Sequence, residues 1–166
     1  ALGPETALSD EFARATAAEI DTLGSALRRA KRRTALLTAL CDLGGVWDLQ
    51  QVTGHLTGLA DLAVHQCLTR LVAEEIRRGK LPGAVPDDAT QAGGMVALAM
   101  GKMGAGELNY SSDIDLICLF DETRYGEDSQ EARAAFIRVT RKMTALLSDV
   151  TAEGYVFRSD LRLRPD

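Results

Sequence analysis

Three aspartates carry the chemistry that this sequence suggests. Asp113 and Asp115 flank a single isoleucine, and Asp160 lies further on among Arg158, Arg162 and Arg164. If Ile114 to Phe120 is a strand, alternation sends Asp113 and Asp115 to one side, about 7 Å apart, and Ile114 to the other, toward the core. Ile117 and Leu119 continue the acidic face as apolar residues, so two carboxylates would stand at the mouth of a buried strand. Unpaired buried carboxylates are costly, and a divalent cation relieves that cost. One or two carboxylates together with substrate phosphate describe a magnesium site. A lone D-x-D is equally a pair of surface acids at the start of a strand.

The segment from Tyr155 to Leu163 sharpens the choice. Read as a strand, Arg158, Asp160, Arg162 and Arg164 share one face, while Phe157, Leu161 and Leu163 share the other. If it pairs beside the D-x-D strand, Asp160 completes a cluster of three carboxylates. Arg162 and Arg164 would then hold phosphate oxygens through their planar fork of donors. The plainer alternative is a half-exposed strand with weak cross-strand ion pairs. Between the first two strands lies a glycine-bearing loop with Gly101, Lys102, Ser111 and Ser112, whose amides, ammonium and hydroxyls suit a nucleotide or phosphate. The loop could also be a simple flexible connection. It is neither a Walker A loop nor a Rossmann fingerprint.

Other candidates are weaker. His55 and His65 lack ligands at metal spacing and read as surface or packing residues, and Trp47 reads as a packing residue between helices. No histidine stands near Ser111 or Ser112 as a triad would need. Cys41, Cys67 and Cys118 are odd in number and far apart, which argues against disulfides and zinc and for a reducing cytoplasm.

The elements that must position these acids divide the chain. Ser9 suits an N-cap, with Phe12, Ile20, Leu23 and Leu27 recurring at near-helical spacing. A second run through Leu36, Leu37 and Leu40 stops at Gly44-Gly45. Asp48 is expected to cap a third, short segment and Asp61 a fourth, giving a bundle of short antiparallel helices. The basic run Arg28-Arg29-Ala30-Lys31-Arg32-Arg33 reads as a solvated helix face or a docking patch. Turn residues fill positions 80–94, and the boundary is placed there, with residues 1–90 helical and 91–166 a separate region. The second region reads strand, strand, helix, strand. Met95 to Met100 and Ile114 to Phe120 are expected as buried strands, and 131–150 as an amphipathic helix with Ala132, Phe136, Val139, Met143, Leu146, Leu147 and Val150 inward. That pattern is α+β with a small mixed sheet.

With 166 residues, 46% of them hydrophobic and 26% charged, the composition is that of a soluble globular chain. A net charge of −5 disfavours nucleic acid as a general partner. The longest apolar run is far too short for a membrane span. Beginning on Ala1 and stopping at Asp166 just past the third acid, the chain is expected to be an excised piece of a longer one.

Two motifs together resemble the glutamine synthetase adenylyltransferase family: Gly101-Lys102-Met103-Gly104 continuing through Glu107-Leu108-Asn109-Tyr110-Ser111-Ser112-Asp113-Ile114-Asp115-Leu116-Ile117, and Arg158-Ser159-Asp160-Leu161-Arg162-Leu163-Arg164-Pro165. The helical first half, through Leu40-Cys41-Asp42-Leu43-Gly44, is similar more loosely. The resemblance implies a DNA-polymerase-beta-like nucleotidyltransferase palm, with Asp113, Asp115 and Asp160 as the metal carboxylates for Mg2+, one ion or two. It implies a bifunctional cytoplasmic enzyme of nitrogen metabolism that transfers AMP from ATP to a tyrosine of glutamine synthetase in one domain and removes it by phosphorolysis in the other. Glu107 to Asp115 is worded like the removing domain. Adenine nucleotide, glutamine synthetase and, through the full-length enzyme, the P-II signalling protein are the implied partners. A regulatory docking module is the alternative of another class. Ala105 departs from a usual second glycine, and Gly101-Lys102 from the Gly-Gly or Gly-Ser of the wider polymerase-beta pattern.

Overall fold

The computed structural model describes the backbone of residues 3–161 and the side chains of residues 3–159. Three helices come first: α1 (Pro4–Thr16), α2 (Ile20–Leu43) and α3 (Leu49–Arg77). Then follow β1 (Met95–Met100), a single helical turn α4 (Gly101–Gly104), β2 (Ile114–Phe120), α5 (Ser129–Ser148) and β3 (Ser159–Leu161). The expected order of strand, strand, helix, strand is therefore observed.

The sheet is mixed, in the order β1-β2-β3. β1 and β2 are antiparallel, with Met100 opposite Asp115, and β2 and β3 are parallel, with Asp115 opposite Asp160. A parallel pair needs a long crossover, which α5 supplies. The amphipathic stripe of α5 is Ala132, Ala135, Phe136, Val139, Thr140, Met143 and Leu147. Val150, expected inward, lies beyond the helix end and is exposed. Core residues from the helices and from the sheet form one cluster.

The helical half differs from expectation in its boundaries. α1 begins at Pro4, whose fixed φ and missing N–H suit a first turn, so Ser9 is interior and not a cap. The apolar spacing from Phe12 to Leu27 is not one helix, because Ala17–Glu19 break it. Asp48 does cap α3: its side chain accepts from the Gln51 amide at 2.8 Å while Gln51 accepts from the Asp48 amide. Asp61 caps nothing, since α3 runs unbroken for 29 residues. An acid of cap type inside a helix is tolerated when long apolar stripes on either side pack, as Val52, Leu56, Val64, Leu68 and Val72 do.

The turn-rich stretch before β1 is packed. Residues Pro86–Gly94 form 3₁₀ turns whose Gly93 takes φ +61, and a Cβ there would lie 2.8 Å from Leu81. The Tyr125 hydroxyl donates to the Gly93 carbonyl.

β1 and β2 are not buried on both faces. Met95, Ile114 and Leu116 point into the core, but Val96, Leu98, Met100 and Leu119 on the opposite face are about half exposed. Helices cover this small sheet on one side, and a continuous apolar run cannot report that by itself. Sheet residues were expected beyond both ends of β3 as well. Residues 155–158 lead in without joining the ladder, apart from the Ile114 amide donating to the Arg158 carbonyl at 2.9 Å. Leu163 lies outside the described residues.

No helix among the described residues is long and apolar enough to cross a membrane.

Candidate functional site at the end of the sheet

Asp113 immediately precedes β2, and Asp115 is its second residue, on the face that helices leave open. Asp113 is exposed and accepts from Arg158 Nε at 2.5 Å, and Arg158 Nη2 also donates to the Ser111 carbonyl at 3.1 Å. Asp115 is half-buried, and its carboxylate has no hydrogen bond or ion pair among the described residues. The premise that both acids are buried therefore does not hold. Water can reach them, so grouping and geometry, not a desolvation cost, must carry any argument for a cation.

Two facts describe that grouping. Position 160 lies directly opposite Asp115 in the parallel ladder. Gly101, with φ +56, sits against the Asp115 carboxylate, and a Cβ there would stand 3.0 Å from Oδ2. Only glycine adopts this backbone freely, and its missing Cβ permits this close approach to the carboxylate. Hard oxygen donors of this kind suit a magnesium or manganese ion. Among the described residues no three His, Cys, Asp or Glu side chains are grouped to hold a metal, and the Asp160 side chain is not one of the described.

The loop from Gly101 to Ser112 is ordered by its own contacts. α4 starts it, and Gly104 packs so closely on β1 that a Cβ would lie 2.4 Å from the Ala99 carbonyl oxygen. Ala105 has φ −84, an ordinary right-handed value, so the departure from a second glycine has no conformational cost there. Leu108 is fully buried, and its amide donates to Thr57 Oγ1 of α3 at 3.2 Å. Ser112 Oγ donates to Asn109 Oδ1 at 2.8 Å, and the Ser111 amide donates to the same oxygen at 3.2 Å. Asn109 thus ties the turn that delivers Asp113. The Tyr110 hydroxyl lies 3.4 Å from Asp42 of α2, and burial and that carboxylate push its pKa up. Lys102 is exposed at the start of the loop. Arg162 and Arg164 lie outside the described residues.

Sequence reasoning missed two contributors and one contact near them. Thr57 anchors the loop from a distant helix, and nothing in a helical threonine announces that. Arg158 was grouped with the strand face but not with Asp113. Lys31, inside the basic run of α2, places its ammonium 4.1 Å from the Tyr155 ring centroid and 5.4 Å from that of Phe157. Burial, then the nearby Arg158 charge, hold its pKa below the ordinary lysine value.

The other candidates behave as packing residues. His55 stacks on buried Trp47 with ring centroids 4.2 Å apart and meets Glu5 at 3.2 Å. The three cysteines are free thiols, and burial pushes Cys67 up to about 12, far from nucleophilic use. A cavity of about 430 Å³, lined by Asp61, His65, Met95 and Met103 among others, flanks β1 and includes neither Asp113 nor Asp115.

Comparison with known proteins identifies the company this site keeps. The sequence model of the glutamate-ammonia ligase adenylyltransferase family matches residues 4–166. A bifunctional glutamine synthetase adenylyltransferase/adenylyl-removing enzyme of Bradyrhizobium sp. (strain ORS 278) is 50% identical, over 98% of this chain and 17% of that protein. The same-named protein of Bradyrhizobium sp. (strain BTAi1) is 54% identical over 84% of this chain and 14% of its own length. That of Caulobacter vibrioides is 46% identical over 93% and 16%. The chain thus spans about one sixth of the length of these relatives.

Proposed function

The chain belongs to the glutamate-ammonia ligase adenylyltransferase family, and on that premise we propose that its sheet end is a nucleotidyltransferase site that removes AMP from adenylylated glutamine synthetase. In this reading residues 91–166 are a DNA-polymerase-beta-like palm and residues 1–90 a helical region that supports it. The observation that carries the proposal is the parallel register that sets Asp115 opposite position 160, with Gly101 against the Asp115 carboxylate.

Asp113, Asp115 and Asp160 would hold Mg2+, as one ion or two, whose contribution is to neutralise charge on the phosphoryl oxygens. The chain's own groups do the rest by placement. Gly101 permits the close approach to the Asp115 carboxylate. Arg158 fixes the Asp113 carboxylate against the loop. Lys102, Ser111, Ser112, Arg162 and Arg164 are the proposed phosphate neighbours. In the reaction, an oxygen of inorganic phosphate forms a bond to the phosphorus of tyrosyl-AMP as the bond to the tyrosine oxygen breaks. The phenolate leaves and takes up the proton that hydrogen phosphate brings, and the products are ADP and tyrosine. The removing direction is favoured by the wording of Glu107 to Asp115. Glutamine synthetase and an adenine nucleotide are the proposed partners in the cytoplasm, with the P-II signalling protein acting through the full-length enzyme in nitrogen assimilation.

The deciding experiment incubates the chain with labelled adenylylated glutamine synthetase plus phosphate, and separately with ATP plus the unmodified enzyme. ADP release in the first arm is expected. Labelling in the second arm alone would reverse the direction. Binding of glutamine synthetase without turnover in either arm would make the chain a docking module.

A further inference from the structure

The basic run of α2 does not form a uniform solvated face. Arg33 donates to Glu11 at 2.9 Å, and Arg32 donates to the Glu153 carbonyl at 3.0 Å. Arg29 donates to Ser25 at 3.0 Å, and Lys31 rests on the rings of Tyr155 and Phe157. Arg28 is the exception. The residue is buried, at 8% exposure, yet it makes no ion pair among the described residues. Its Nε is buried without a hydrogen-bond partner, and Nη2 has only the Asp149 carbonyl, at 3.4 Å.

A guanidinium stays charged when buried, and an unpaired buried charge is costly. The C-terminal end of α5, beside that carbonyl, carries only about half a negative charge. It compensates Arg28 in part. Gly24, one turn back, lets the guanidinium lie close to α2, since a Cβ there would stand 3.0 Å from Nη1.

Arg28 lines a cavity of about 370 Å³ between α2, α3 and the end of α5, walled by Ile20, Leu71 and Leu146. The other charged residues of its lining are Glu74, Lys142 and Asp149. Lys142 donates to Glu74 at 3.3 Å, so those two are matched. Asp149 is exposed and offers Arg28 its carbonyl, not its carboxylate. A single unmatched, planar cation against apolar walls suits one carboxylate on a small apolar body. A polyanion would meet Glu74 and Asp149 on the same lining.

We propose that this cavity binds a small organic acid, whose carboxylate accepts hydrogen bonds from the Arg28 guanidinium while its hydrocarbon part packs on Leu71 and Leu146. The site lies outside the group of acids at the sheet end and stands whether or not that group transfers AMP.

The test is an NMR titration of the nitrogen-15-labelled chain at constant ionic strength, reading the arginine Nε–H signals and the backbone amides of Leu71 and Leu146. The probes are butyrate, its uncharged analogue butyramide, and inorganic phosphate. Butyrate is expected to shift these signals and to saturate in about the millimolar range, which a ligand of its size can reach. Butyramide and phosphate are expected to bind about tenfold more weakly or not at all. Arg28→Met keeps the aliphatic stem and removes the charge. It should weaken butyrate by about tenfold or more, the loss of one charge-assisted hydrogen bond, without lowering the melting temperature. If that variant does not fold, the contrast between butyrate and butyramide on the parent decides alone. Equal binding of butyrate and butyramide, no saturable shift with butyrate, or parent-like butyrate binding by Arg28→Met overturns the proposal. Phosphate binding tighter than butyrate overturns the assignment to a carboxylate.

Discussion

Two carboxylate sites in this molecule are built on opposite terms. Glu75 in α3 is buried at 1% exposure, and the chain brings its cations to it: Arg138 of α5 donates twice, at 2.9 and 2.8 Å, Arg78 approaches at 3.3 Å and Lys142 at 3.9 Å. Asp115 at the end of β2 sits on the open face of the sheet with no such partner among the described residues, against a glycine whose missing side chain permits the close approach. A carboxylate taken out of water must be matched inside the protein, or its desolvation opposes folding. One left at a wet edge remains available to something the chain does not contain. The first arrangement joins α3 to α5; the second has no evident structural purpose.

That contrast can be broken, and the largest effect belongs to the open site. Asp115→Asn is expected to lower ADP release in the proposed reaction by roughly 10²–10³-fold while the melting temperature stays within a degree or two. Unchanged turnover would remove the site. At the buried acid the signs exchange. Glu75→Ala should destabilise the fold by about 2–3 kcal/mol in denaturant titrations, below the cost for a fully buried pair because its arginines and lysine can return to water. Turnover per folded molecule should not change. A Glu75 variant as stable as the parent would show the cluster to be ornamental.

Gly101→Ala lies between these extremes, because it touches both backbone and site. The φ of +56 and the 3.0 Å approach to Asp115 Oδ2 predict a loss of about 1–2 kcal/mol in stability together with weaker Mg2+ or Mn2+ binding. An alanine variant that binds the ion as well as the parent would show that the Gly101 side of Asp115 is not the ligand's place. The smallest effect concerns pH. Glu11 is raised by burial, but its hydrogen bonds from Arg14 and Arg33 outweigh this and hold its pKa below the usual value. A depressed carboxylate contributes stability above its unfolded pKa and loses it as pH falls through the folded value. Glu11→Gln should therefore flatten the acid limb of a stability profile below about pH 4.5, and an unaltered limb would assign acid sensitivity elsewhere.

The lines along which sequence reading succeeded and failed follow from the range of each interaction. Asp48 could be recognised as a cap because its partner, Gln51, is three residues away. α5 was legible because its stripe repeats within one element, and it failed only at Val150, past the helix end. Ser9 and Asp61 have the same chemistry as Asp48 but not its surroundings, since Pro4 starts one helix earlier and apolar packing carries the other through. The strands were legible as strands, but whether one face or both would be covered depends on how many helices return to the sheet.

The sequence by itself determined the succession of strands around α5, the two acids one residue apart, the glycine before them and the family, because each is a matter of residue type at short spacing. Only the tertiary structure decided that position 160 faces Asp115 across a parallel pair, that Thr57 and Arg158 hold the acid-bearing loop, and that Lys31 of α2 rests on the rings of Tyr155 and Phe157. Those contacts join residues dozens of positions apart. They exist only once burial of a shared core has fixed the elements against one another, and no local pattern encodes that.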